Sequence, residues 1–290
     1  MDFMNPRLPL GTWVSDFLDW FTATFQWLLD FITLILGGLY DILNLAFSTP
    51  IYLVMIVILA VVAYFAAGWK VALFTLIGFY VVRALDQWAN TMSTLALVIV
   101  AVIVALIIAI PLGILAAKIS WVSAVVKPIL DFMQSMPALA YLVPAILMFG
   151  IGQTPGAIAT IIFALPPGVR LTELAIRQVN SEVVEAGQAF GATSGHILTK
   201  IQIPLAMTTI MAGINQVIML ALSMVVLAGM VGAGGLGGAV VGGISSLDVP
   251  LAVEAGLSVV VVAIFLDRVT AALGQRTPIE RARKAAAASS

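Results

Sequence analysis

Apolar residues dominate this chain in long runs that glycine, proline and isolated charges interrupt. A helix needs about 20 predominantly apolar residues to cross a bilayer. After residue 50 the pattern predicts about seven spans, at 50–68, 71–87, 91–117, 137–151, 155–168, 204–229 and 249–271. The second, fourth and fifth are too short for an upright crossing, so they extend into adjacent loops or line the protein interior. The predicted fold class is all-α, a polytopic bundle of membrane helices.

The first 49 residues differ from the rest. Between 12 and 47, tryptophan, phenylalanine and tyrosine residues are interleaved with four aspartates, Asp16, Asp19, Asp30 and Asp41. Because Trp and Tyr favour the headgroup level and Asp stays in water, this mixture predicts an amphipathic helix in the membrane interface. An ordinary packing arm is the alternative. The predicted organisation is an N-terminal interfacial segment (1–49), a membrane domain (50–275) and a short tail (276–290).

Composition supports a membrane protein and excludes several classes of chemistry. Hydrophobic residues make up 62% of the chain and charged residues 9%, with a mean hydropathy of +1.15, whereas soluble domains are about 25% charged. A net charge of -1 without a basic face argues against nucleic-acid binding. The absence of Cys and the single His196 leave no metal or cofactor site to predict. The chain also lacks G-x-x-x-x-G-K-[ST], so we expect no ATP hydrolysis and no enzyme.

The basic residues predict an orientation, since Lys and Arg are retained on the cytoplasmic side of short loops. With loop 169–203 placed inside, the following also lie inside: Arg170, Arg177, Lys200, Lys70, Lys118, Lys127, Arg268, Arg276, Arg281, Arg283 and Lys284. The N-terminus is then outside and the C-terminus inside. Arg7 and Arg83 are exceptions, and Arg83 is predicted to pair with Asp86 at i, i+3.

The 169–203 loop is the most polar long stretch of the chain. Asn180 or Ser181 is suited to cap a short helix whose first turn holds Glu182, because a side-chain oxygen there accepts from free backbone N–H groups. Gly191 is suited to end that helix. A second short helix is predicted to follow from residue 193 or 194, before the next span.

The loop carries a motif with fixed spacing. Glu185-Ala186-Gly187 is followed, after three residues, by Gly191 and, after nine more, by Ile201-Gln202-Ile203-Pro204. This pattern resembles the EAA signature of the permease subunits of ATP-binding-cassette importers. The chain departs from that signature by Gly187 for a second Ala and by Ile203 for Leu. Gly187 is expected to loosen its helix by roughly 0.5–1 kcal/mol relative to Ala.

The resemblance implies a type I importer fold in which this loop is a coupling helix that docks on a cytoplasmic ATP-binding subunit. The coupling residues it implies are Glu182, Glu185, Ala186, Gly187, Gly191, Ile201 and Pro204. It further implies a homodimer in a prokaryotic cytoplasmic membrane, two ATPase copies that hold ATP and Mg²⁺, and a separate extracytoplasmic binding protein. The alternative is that these residues only cap and turn a loop.

Other stretches within 85–275 resemble the glycine betaine, proline betaine and choline branch of these permeases, namely 92–97, 110–113, 131–138, 212–216, 232–237 and 266–268. They imply import of a quaternary-amine osmolyte by alternating access. Proline, carnitine or another amino-acid-like solute remains open. So does an ion-gradient-driven secondary transporter with Glu254, Asp267 or Arg83 as coupling residue, and a membrane scaffold without a solute path.

Quaternary ammonium groups bind over aromatic faces, which makes several residues candidates for a substrate path. They are Trp88, Tyr141, Phe149 and Phe163, together with Asn215 from one of the resembling stretches. Ordinary packing is the alternative for each. The glycines between 229 and 243 are expected mainly to allow close helix packing.

Overall fold

A computed structural model describes residues 9–275, and in this range the chain forms thirteen α-helices and no strand. In chain order they are α1 Leu10–Thr24, α2 Gln26–Ser48, α3 Tyr52–Ala67, α4 Trp69–Ala84, α5 Trp88–Lys118, α6 Ser120–Ser135, α7 Leu142–Phe149, α8 Gln153–Arg177, α9 Ser181–Ala189, α10 Ser194–Ile197, α11 Ile203–Ala228, α12 Gly235–Ser245 and α13 Val249–Gln275. The all-α prediction is confirmed. Arg7 and the basic tail residues from 276 onward lie outside the described residues.

The number of spans differs from the prediction of about seven. Five helical stretches in the described part of the chain are long and apolar enough to cross a membrane: Gln26–Ser48, Trp88–Lys118, Gln153–Arg177, Ser194–Val231 and Val249–Gly274. A sixth crossing exists if Ser120–Ser135 and Ala138–Phe149, which meet at 112°, count together. The predicted spans at 50–68 and 71–87 are the 16-residue helices α3 and α4. Each is about 24 Å long, less than the roughly 30 Å of a bilayer core.

The span predicted at 155–168 is in fact α8, which continues to Arg177. The prediction stopped at Pro166-Pro167 because proline removes a backbone donor. Here both prolines are buried inside the helix, as neighbouring protein allows in membrane helices. The first nine residues of the predicted loop 169–203 are therefore the last turns of α8.

The N-terminal segment forms two helices rather than one surface helix. α1 has no buried residue, as an interfacial helix predicts. α2 instead packs antiparallel along α5, because the Tyr40 hydroxyl is 2.6 Å from Ser93 Oγ while Phe31 and Ile35 line a cavity with Ile108. The interfacial prediction for 12–47 therefore does not describe α2.

The core is built where α5, α8 and α11 cross closely. A Cβ on Gly113 would lie 2.6 Å from Thr172 Cβ, and one on Gly168 would lie 2.9 Å from both Ala109 Cβ and Val217 Cγ2. Small residues at these points let the three backbones approach, which is how membrane helices gain packing contacts. The glycines after α11 act in the same way, because a Cβ on Gly229 would lie 2.1 Å from the carbonyl carbon of Gly237.

Candidate coupling segment and substrate path

The candidate coupling segment is the stretch from Asn180 to Gln202, between α8 and α11. Asn180 is the N-cap of α9, and its side chain accepts a hydrogen bond of 2.8 Å from the backbone N–H of Glu182. Glu182 lies in the first turn, where a carboxylate favours the positive end of the helix. The predicted cap and acidic first turn are confirmed.

The end of α9 is a Schellman motif centred on Gly191, whose φ is +79°. The N–H of Gly191 donates to the carbonyl of Gln188 at 2.8 Å, and the N–H of Ala192 donates to that of Gly187 at 3.1 Å. These are the two bonds that define this cap. Gly191 thus reverses the chain at little steric cost, as its position in the sequence predicted.

The second part of the segment begins at Thr193, the N-cap of α10, whose hydroxyl accepts from the N–H of His196 at 3.4 Å. A π-helical turn, Leu198–Gln202, then joins α10 to α11. Pro204 lies in the first turn of α11 and is exposed. Proline is well tolerated there because the first-turn N–H groups have no intrahelical acceptor.

The candidate coupling residues divide between two faces. Gly187 faces the second part of the segment, since a Cβ built on it would lie 2.8 Å from Ile201 Cδ1. Glu182, Glu185 and Ala186 are exposed on the other side of α9. The structure therefore brings Gly187 and Ile201 together as an internal contact and leaves the acidic residues free to meet another surface.

Phe190 was not among the predicted site residues, although it is the most exposed aromatic of the segment. Its relative exposure is 92%, and that of Val183 on the same helix is 43%. Aromatic residues are enriched in protein–protein interfaces, so Phe190 is a candidate contact for a partner. The signal in the sequence was its position directly before Gly191.

The predicted path residues do not form one cluster. Tyr141 and Phe163 form an edge-to-face pair with ring centroids 6.0 Å apart. Trp88 packs instead on Tyr52 and Phe79, at centroid distances of 6.4 and 6.5 Å. These contacts unite two of the predicted aromatics and place the third in a separate group.

Phe149 and Asn215 lie in two further environments. Phe149 lines an apolar cavity of about 320 Å³ between α2, α5 and α8. Asn215 bridges α11 and α13, because its Nδ2 donates to Asp267 at 3.2 Å and its Oδ1 accepts from Thr270 at 2.7 Å. The side chain of Asn215 is thus engaged in helix packing on both of its polar atoms.

A polar seam that the sequence did not predict joins α6 to α8. The α6–α8 seam comprises Ser123, Lys127 and Asp131 on α6 and Arg170, Glu173 and Arg177 on α8. The spacings are i, i+4, i+8 and i, i+3, i+7, so each set lies on one face of its helix. The seam borders a cavity of about 360 Å³. The spacing was readable, but residues 170–177 had been assigned to a loop.

Residues 109–278 match the profile of the family described as binding-protein-dependent transport system inner membrane component. This match covers more than half of the chain, including α8, the coupling segment, α11 and α13. The chain belongs to this family. It is therefore an inner-membrane transport component, and the resemblance drawn from Glu185 to Pro204 is confirmed at the level of the family.

Individual family members match nearly the whole chain. The glycine betaine transport system permease protein OpuAB of Bacillus subtilis is 46% identical over 270 residues, which cover 91% of this chain and 94% of OpuAB. The glycine betaine/carnitine transport permease protein GbuB of Listeria monocytogenes is 43% identical over 279 residues, covering 95% of this chain and 99% of GbuB. This chain is thus similar to these two permeases along nearly its whole length.

The fold also matches a solved transporter. A chain of the inward-facing MetNI methionine ABC transporter superposes with a TM-score of 0.58 at 22% identity, covering 68% of this chain and 95% of that one. At this identity the likeness concerns the fold alone. The predicted type I importer architecture is confirmed by it.

Proposed function

We propose that this chain is the permease subunit of an ATP-driven importer for glycine betaine or a related quaternary-amine osmolyte. The observation that carries the proposal is the coupling segment, a capped, exposed helix held between two membrane helices with the spacing of the EAA signature. The names of OpuAB and GbuB support the substrate class. The solute would pass from an external binding protein to the cytoplasm by alternating access.

In this proposal the two faces of the coupling segment have different tasks. Glu182, Glu185 and Ala186, which are exposed, contact the ATPase, and Glu185 accepts its polar contacts. Gly187 and Ile201 hold α9 against the second half of the segment. Gly191 and Pro204 fix where the chain reverses and where α11 begins, so the docking face is presented at a constant angle.

The partners follow from the same role. Two copies of the permease would form a homodimer on two cytoplasmic ATPase subunits, which bind ATP and Mg²⁺. A separate extracytoplasmic protein would deliver the solute and supply most of the selectivity. The lipid bilayer surrounds the membrane helices of the two permease copies. The family description supports the cell inner membrane as the location.

Contacts at the coupling segment support the proposed orientation of the central helices. Arg177 Nη2 donates to the carbonyl of Ala116 at 2.8 Å, and Lys118 Nζ donates to the side-chain oxygen of Gln202. The C-terminal ends of α5 and α8 therefore lie at the same end of the bundle as the coupling segment. Since α5 and α8 run in the same direction, the bent pair α6–α7 returns the chain across the membrane between them.

For the substrate path, the pair Tyr141 and Phe163 is the strongest of the predicted candidates. Two aromatic rings at an angle of 63° offer a face and an edge to a quaternary ammonium group. Trp88, Phe149 and Asn215 stay weaker candidates because each is engaged elsewhere.

An ion-gradient-driven transporter is the weaker alternative. Two of the charged residues that it would use are paired: Arg83 with Asp86 at 3.0 Å, and Asp267 with Asn215 at 3.2 Å. The first pair was predicted and is confirmed. Membership in a binding-protein-dependent family also favours a separate energy source.

The test is reconstituted uptake with the ATPase partner and binding protein from the same organism. Radiolabelled glycine betaine should accumulate in vesicles only with ATP, and collapsing ion gradients should leave uptake intact. Glu185→Ala, or a bulky residue at Gly191, should lower uptake while ATP hydrolysis continues. Uptake that follows an ion gradient without ATP would refute the importer, and full uptake by both variants would refute the coupling residues.

A further inference from the structure

Helix α6 is attached to the bundle by few apolar contacts. Only Ser123 and Leu130 are buried among its residues. Val126 and Met133 are half-buried and pack with Leu130 on Ala109 and Val169. Trp121, Val125 and Phe132 face outward, with relative exposures of 69%, 54% and 65%. The α6–α8 seam adds polar and charged contacts to this small apolar attachment beside α8.

Glu173 is the centre of this seam. A single carboxylate oxygen accepts from Ser123 Oγ at 2.8 Å and from Arg177 Nε at 2.8 Å, and lies 3.4 Å from Lys127 Nζ. The Glu173 side chain is only 5% exposed. Ser123 and Lys127 belong to α6, so Glu173 joins the two helices, and a buried carboxylate that loses such partners is costly.

The seam is continuous with the coupling segment. Arg177 lies three residues before Asn180, the N-cap of α9, and its second arm reaches the carbonyl of Ala116 at the end of α5. At the other end of the segment, Gln202 hydrogen-bonds Lys118, also at the end of α5. A displacement of the coupling segment thus acts directly on the residues that hold Glu173.

Both ends of α6 are non-helical joints. Ile119 before it and Met136 after it have extended backbone conformations, with ψ of 108° and 137°. The axis then turns by 112° into Ala138–Phe149. α6 is consequently a separate helical segment between two joints, and the seam is its polar attachment to α8.

We propose that Glu173 is a positioning residue that makes α6 follow the coupling segment, so that movement at the ATPase reaches the bent pair α6–α7. The attachment of α6 by the seam stands on the contacts alone. Its use during transport rests on the proposed function above.

The attachment is testable on the permease by itself, because the chain contains no cysteine. Leu130, 2% exposed, lies on the buried face of α6. In a Leu130→Cys background, labelling by a membrane-permeant maleimide should be about ten-fold faster with Glu173→Gln, since opening of α6 becomes easier. Asp41→Asn removes an exposed carboxylate from α2, outside the seam, and should leave the rate unchanged. Equal labelling rates for Leu130→Cys alone, with Glu173→Gln and with Asp41→Asn would overturn the proposal.

Exchanging the charges of Asp131 and Arg170 tests whether their attraction, rather than the shape of the two side chains, holds α6 against α8. Asp131 on α6 pairs with Arg170 on α8. Arg170→Asp alone sets two carboxylates against each other and should speed the labelling. The double variant Asp131→Arg with Arg170→Asp restores opposite charges and should return the rate close to that of Leu130→Cys alone. A double variant as fast as the single one would show that the charge pair does not hold α6.

The positioning role is read from the number of solutes taken up per ATP hydrolysed by the reconstituted complex. Glu173→Gln should lower this ratio about ten-fold while hydrolysis persists, whereas Asp41→Asn should keep it. Uptake and hydrolysis that fall in proportion would indicate a purely structural role and refute the positioning role. If the unmodified complex shows no ATP-dependent uptake, the proposed function fails and the positioning role with it, while the labelling rates still decide the attachment.

Discussion

Two glycines of the coupling segment are required for different physical reasons. Gly187 lies in a helix with an ordinary backbone, and what matters there is space, because Ile201 Cδ1 would be 2.8 Å from an added Cβ. Gly191 has open space around it but a φ of +79°, which side chains with a Cβ rarely adopt. Substitutions at the two positions should therefore fail in different ways.

At Gly187 the size of the new side chain should decide the outcome. Gly187→Ala meets only the end of a flexible isoleucine and gains about 0.5–1 kcal/mol of helix stability, so uptake should remain near that of the unmodified protein. Gly187→Leu should push α9 away from Ile201 and reduce ATP-dependent uptake strongly. ATP-dependent uptake into vesicles is the measurement for both variants. Equal loss of uptake in the two variants would contradict a role based on space.

At Gly191 the backbone should decide the outcome, even for the smallest side chain. Gly191→Ala should cost about 1–2 kcal/mol because it forces a Cβ into the left-handed region. Amides of 181–192 should then exchange with deuterium about ten-fold faster, as measured by mass spectrometry. Gly195→Ala is the matched control, since that glycine has open space and lies in α10. Faster exchange in the control alone would reverse this interpretation.

Among the elements, those set by local chemistry were predicted well. Asn180, Gly191 and Thr193 determine the caps of α9 and α10 through their own side chains or φ. Gly191 was predicted as the end of α9, and each N-cap was predicted to within one residue, as Asn180 or Ser181 and as Thr193 or Ser194. The end of α8 was wrong because Pro166-Pro167 is tolerated only thanks to neighbouring helices that the sequence does not reveal. The α6–α8 seam was missed for the same reason, since it joins residues about 40 to 50 positions apart.

The coupling helix should depend on its exposed aromatic residue for partner binding. Phe190→Ala should weaken association with the ATPase by about 2 kcal/mol or more, as truncation of buried interface aromatics does. Leu247→Ala is the control, because Leu247 is 86% exposed in the connection between α12 and α13. Surface plasmon resonance with the immobilised permease compares the two affinities. An unchanged affinity for Phe190→Ala would exclude this residue from the interface.

For the whole molecule, the side on which the N-terminus lies depends on α1 and α2. α3 and α4 form a pair joined at Gly68, so they add an even number of crossings or none. α2 therefore ends on the side where α5 begins, opposite the coupling segment. Between residues 8 and 69 the chain has four aspartates and no Lys or Arg. This segment therefore lacks the basic residues that retain a loop on the cytoplasmic side. Arg83 on the outer side is paired with Asp86 and lies over the Tyr52 ring.

The charges predict an N-terminus outside and the coupling segment inside, which requires that α2, although it packs along α5 and is long enough to cross, does not cross completely. Single cysteines can test this topology in intact cells. Ser15→Cys on exposed α1 should react with a membrane-impermeant maleimide added outside. Ser246→Cys at the end of α12 should react likewise, whereas Lys200→Cys should react only after permeabilisation. Each site is exposed, so access to the reagent depends on the side of the membrane. If Ser15→Cys behaves like Lys200→Cys, then α2 crosses the membrane completely and the N-terminus is inside, because an added crossing reverses the side on which the chain begins.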